Sequence, residues 1–134
     1  MKPITPKNMI TLAGTIIKIL QNHECFDEET NVYVLDPDNP DCGMVFNCMK
    51  KDEYRFPDGT KVPVQRGIRP ERWADYANTE TVTITFEGLL YEIINDMSHP
   101  SYETFFADLA EAIKPYGLYA DQGYPWSLSL YPDL

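Results

Sequence analysis

The run Thr81-Val82-Thr83-Ile84-Thr85-Phe86 places Val82, Ile84 and Phe86 on one face by strict alternation. A period of two is the signature of a strand with one buried side. The period then changes. Leu89, Leu90, Ile93, Ile94 and Met97 recur at helical spacing, leaving Glu92, Asn95 and Asp96 for solvent. A second helical stripe, Tyr102, Phe105, Phe106, Leu109 and Ile113, predicts a helix from about Tyr102 to Lys114, ended by Pro115 and Gly117. Its opposite face carries Glu103, Ala107, Glu111 and Lys114. One-faced helices following a one-faced strand must bury their stripes against a sheet, which constrains the chain to a layered α+β architecture.

The remaining segments fit that frame. Met9 to Gln21 mixes helical spacing with a scatter of β-branched residues and Gly14, and we assign it to a helix. Val32 to Leu35 and Met44 to Phe46 are short strands separated by a turn cluster, Asp36 to Asp41. Tyr54 to Phe56 and Lys61 to Val64 are arms of a hairpin through Pro57-Asp58-Gly59-Thr60. Pro70 to Tyr76 predicts a short helix. A last hairpin pairs Leu118 to Ala120 with Trp126 to Leu130, turning through Gln122-Gly123-Tyr124-Pro125, with Trp126, Leu128 and Leu130 on one side. The expectation is one α+β domain over residues 1–134, an antiparallel meander sheet with two or three helices packed on one face. A parallel array would need strands and helices to alternate.

With 134 residues, 43% of them hydrophobic, the chain can close one core. The prolines of Met1-Lys2-Pro3-Ile4-Thr5-Pro6 do not fit a signal peptide, and Met9 to Leu20 is too short and polar to span a bilayer. A cytoplasmic protein is expected, and three irregularly spaced cysteines, Cys25, Cys42 and Cys48, read as reduced thiols. With His23 they form a legal zinc set, but no Cys-x-x-Cys knuckle holds two ligands on one turn, so no metal is expected; Cys25 and Cys48 read as small buried hydrophobes. No phosphate loop, dinucleotide fingerprint or nucleophile elbow occurs, and His23 and His99 lack a recognisable partner. Neither catalytic residues nor a cofactor are predicted.

Charge is the strongest functional signal. The net charge is −10 and the pI about 4.5. Residues 1–49 hold three lysines against seven acids, and residues 50–72 hold seven basic residues against four acids. From Trp73 onward, Lys114 alone faces ten acids. Such a surface disfavours direct nucleic-acid or anionic-membrane binding, which needs clustered Lys and Arg. It suits docking on a basic protein, with carboxylates standing in for phosphates. Tyr116, Tyr119, Tyr124, Trp126 and Tyr131 crowd the last hairpin and supply rings for an interface.

In size, acidity and absence of a catalytic signature the chain resembles small inhibitors, such as phage anti-defence proteins that mimic DNA and immunity proteins that block toxins. The resemblance is one of composition and implies no residue assignments. The sequence therefore predicts a non-enzymatic antagonist that occludes a basic, nucleic-acid-binding partner. Its expected contact residues are Glu87, Glu92, Asp96, Glu103, Asp108, Glu111, Tyr124 and Trp126. The alternative is a binder of a nucleotide or other anion through Arg66, Arg69 and Arg72, spaced three apart beside Trp73.

Overall fold

Thr5 and Pro6 start the first helix for separate reasons. The Thr5 hydroxyl accepts from the Asn8 N–H, and Pro6 has no N–H to orphan in the first turn. In the computed structural model, which describes residues 1–74 and 77–133, this helix, α1, runs Pro6–Asn22. It buries Met9, Leu12, Ala13, Ile16, Ile17 and Leu20, a stripe wider than the spacing in the sequence suggested. Its end is a Schellman turn: the Cys25 N–H donates to the Leu20 carbonyl, and the N–H of left-handed Glu24 donates to that of Gln21.

Seven strands follow: β1 Thr30–Asp36, β2 Asn39–Phe46, β3 Asp52–Arg55, β4 Lys61–Ile68, β5 Thr83–Phe86, β6 Leu118–Tyr124 and β7 Ser127–Pro132. They form one sheet in the order β3-β4-β2-β1-β5-β7-β6, antiparallel at every pairing. Between β5 and β6 lie α2, Leu89–Asn95, and α3, Tyr102–Ile113. The expected α+β domain with helices on one face of an antiparallel sheet is what the chain forms.

The register fixes the two faces. Val32 and Val34 of β1 lie level with Phe46 and Met44 of β2, and Val32 lies level with Ile84 of β5, whose neighbour in β7 is Leu128. These side chains join the buried stripes of α1, α2 and α3 in one core. The alternate residues, Asn31, Tyr33, Gly43, Thr83, Thr85, Ser127 and Ser129, belong to the opposite face.

That second face is crossed, not bare. To travel from β4 to β5 the chain must pass β2 and β1, and it does so over the side away from the helices. A 3-10 turn, Pro70–Arg72, leads into Trp73, which lies against Gly43 and packs on Tyr33 at 5.6 Å between ring centres. Beyond it, Asn78 donates to the Leu130 carbonyl and its N–H donates to the Thr83 hydroxyl. The short helix expected from Pro70 is only this one turn, and Tyr76 lies outside the described residues.

Several boundaries shift. β2 begins at Asn39, so Pro40 and Asp41 belong to a strand and only Pro37 and Asp38 turn the β1–β2 hairpin. The last turn is likewise two residues, Pro125 and Trp126, and Trp126 sits in it at 39% exposure instead of sharing the core side with Leu128 and Leu130. Met97 lies beyond the end of α2 and is 79% exposed.

Candidate functional site

Three chain segments meet at one end of the sheet, and hydrogen bonds tie each to the next. Asp27 turns the chain into β1, its carboxylate accepting from the Glu29 N–H and the Thr30 hydroxyl. The Glu87 N–H, at the end of β5, donates to the Glu29 carbonyl. The Phe86 N–H donates to the Trp126 carbonyl across to the β6–β7 turn at 2.8 Å. Buried Asn47 braces the first segment from below, its amide donating toward the carbonyls of Glu28 and Thr30 and the Asn31 side chain. Asn95 of α2 and Gln122 of β6 both donate to the Pro125 carbonyl.

This framework holds a groove of about 490 Å³ on the helix-free face. Its floor is Asn31, Tyr33 and Thr85, with the Asn31 amide donating to the Thr85 hydroxyl. The inner wall is Trp73, with Arg72 beside it. Glu28, Glu29, Glu87 and Trp126 stand around the mouth. Trp126 is backed by Tyr124, their rings parallel within 3° at 4.4 Å. Trp73 is only 6% exposed, yet its indole N–H has no hydrogen-bond acceptor among the described residues. Packing alone therefore holds that ring in place.

The expected contact residues divide between the two faces. Glu87, Tyr124 and Trp126 gather at the groove end, whereas Glu92 on α2, Asp96 just after it, and Glu103 and Glu111 on α3 belong to the helix layer and are exposed. The Ser98 hydroxyl and N–H both donate to Asp96 and hold its carboxyl below the usual range. Asp108 has a different role: it meets His23 Nε2 at 2.8 Å and joins α3 to the end of α1. That pairing of residues 23 and 108 left no trace in sequence spacing. Glu28, Glu29 and Tyr33 were also missed as site residues, and Trp73 was expected only beside the arginines, because only the strand register and the crossover bring them beside Glu87 and Trp126.

The arginine cluster separates too. Arg66 points to the helix side, 3.5 Å from Asp38 and 3.7 Å from Asp36, with its guanidinium over the Tyr54 ring. Arg69 and Arg72 border a shallow depression with Gln65 and Gly67 on the other side of β4, and Arg69 lies 3.7 Å from Glu71. A bulge between Gly43 and Met44 in the β2–β4 pairing accompanies this division.

Among the described residues no three His, Cys, Asp or Glu side chains converge as a metal would require. Cys25 is buried, as expected, its thiol donating to the Leu20 carbonyl and pushed up to about 12, first by burial and then by the Asp27 carboxylate. Cys48 is exposed, not buried as the sequence suggested, because β2 ends at Phe46 and leaves it in the following loop. No helix among the described residues is long and apolar enough to cross a membrane. No protein-family model, curated protein or solved structure matches the chain.

Proposed function

We propose that this is a small, non-enzymatic binding protein of the cytoplasm that occludes a basic, nucleic-acid-binding protein partner, in the manner of an anti-defence or immunity-type antagonist. One observation carries the reading: most of its carboxylates are not neutralised from within. Among the described residues only Asp36, Asp38, Asp58, Glu71 and Asp108 lie within ion-pair distance of a basic side chain. Glu87, Glu92, Asp96, Glu103 and Glu111 keep exposed charge that a cationic surface can use. Such a field raises association rates by about 10- to 1,000-fold and weakens steeply with salt.

The test is capture of partners from host lysate at low and high salt, followed by binding kinetics with Glu103→Lys and Glu111→Lys together. A basic nucleic-acid enzyme should be held at low salt and released at high salt. The double reversal should slow its association by about tenfold or more with little change in dissociation. Unchanged association rules out acid steering through α3.

An anion-binding reading survives in reduced form, since Arg69 and Arg72 still share one depression. If it holds, Arg69→Ala with Arg72→Ala abolishes a nucleotide-induced thermal shift, whereas Arg66→Ala leaves it intact.

A further inference from the structure

We propose that the groove on the helix-free face receives an arginine-bearing segment of the partner, which deepens the reading above and rests on it. Three glutamates, Glu28, Glu29 and Glu87, surround the mouth against one cation, Arg72, so the lining is net negative and complementary to a guanidinium. The aromatic residues select arginine over lysine. A guanidinium is planar and weakly hydrated, stacks on ring faces and forks onto carboxylates, whereas an ammonium is a compact, strongly hydrated point charge. Trp126 offers a half-exposed ring stiffened by its stack on Tyr124, with Glu87, just past the end of β5, brought close by the Phe86–Trp126 hydrogen bond.

Trp73 supplies an independent observation. A buried indole N–H without an acceptor is uncommon and costs free energy. Its Nε1 edge rests over Gly43, at the inner wall of the groove, and no hydrogen bond locks it there; a segment seated in the groove can supply the missing acceptor by shifting the ring as one body. A main-chain carbonyl of the bound segment is such an acceptor. The site thus reads both halves of an arginine residue: charge and plane at the mouth, a peptide carbonyl at the inner wall. The surrounding hydrogen bonds pre-form the mouth, which keeps the ordering cost of binding low.

The decisive experiment is an NMR titration of the labelled protein, at about 20 mM salt where screening is weak, with acetyl-Gly-Arg-Gly-amide and with its neutral citrulline counterpart. The arginine peptide should give saturable shifts of the Trp73 and Trp126 indole N–H signals, and the citrulline peptide should bind at least tenfold more weakly. Combined Glu28→Gln, Glu29→Gln and Glu87→Gln should abolish the shifts, while Asp52→Asn with Glu53→Gln, on exposed β3 at the far edge of the sheet, should leave them in place. Trp73→Phe, which keeps a ring but removes the N–H, should weaken binding several-fold. Equal binding of both peptides, or full binding by the triple variant, overturns the proposal. A nona-arginine peptide separates the two levels: shifts confined to α2 and α3 reject the groove but keep acid-steered docking, and no binding at all rejects both.

Discussion

Gly43 is the residue on which the second face turns. A Cβ there would lie 2.6 to 2.9 Å from the Cζ2, Nε1 and Cε2 atoms of Trp73. Those atoms belong to a rigid ring packed on Tyr33, which can yield only by moving as a whole and not as a flexible chain end would. Gly43→Ala should therefore cost about 1–3 kcal/mol by overpacking and displace the groove wall. Urea unfolding followed by tryptophan fluorescence checks both, because the folded-state emission should shift together with the midpoint. An unchanged midpoint and emission would mean that the crossover is not seated on β2 in this way.

At the scale of elements, single polar contacts staple α1 to the layers around it. His23 joins its end to α3 through Asp108, and Lys18 joins its side to the β3–β4 hairpin by donating to Asp58. Donation from Lys18 and then from Thr60 holds the Asp58 carboxyl well below the usual carboxylate range. A depressed folded-state pKa contributes stability above the unfolded value, about 3.9 for an aspartate, and loses it as pH falls through the folded one. The stability gap between the native chain and Asp58→Asn should thus be constant above about pH 5 and close as the pH drops below about 4. Denaturant midpoints of both proteins at pH 3, 5 and 7 provide the check; a gap that persists unchanged at pH 3 would show that the side chain matters by shape, not charge.

For the whole molecule, the charge that favours a basic partner opposes its own compaction. A net charge of −10 with few internal ion pairs makes self-repulsion a standing cost. Raising sodium chloride from about 20 to 300 mM, which shortens the screening length several-fold, should raise the thermal midpoint of the free protein while weakening its hold on a cationic partner. Opposite responses of stability and affinity to the same salt are the signature of unneutralised surface acids. A midpoint that falls with salt would indicate that attractive pairs dominate the surface.

The period-two run before Phe86 and the stripes of α2 and α3 made the layered α+β class legible from sequence, because burying one face of a strand or helix dictates where its apolar residues fall. The acid excess was equally plain, since it requires no folding to count. Strand neighbours were not, because antiparallel pairing between distant segments is set by register and turn geometry with no local mark in either partner. The same limit hid the His23–Asp108 pair, the diversion of Arg66 to Asp36 and Asp38, and the meeting of Glu28 and Glu29 with Glu87 and Trp126. Patterning determined most of what is inside within regular elements, though not Met97, Trp126 and Cys48, which lie beyond element ends or in a turn; only the crossing of the chain over β2 and β1 decided that Trp73 would wall a groove, since a ring finds its neighbours through space and not along the chain.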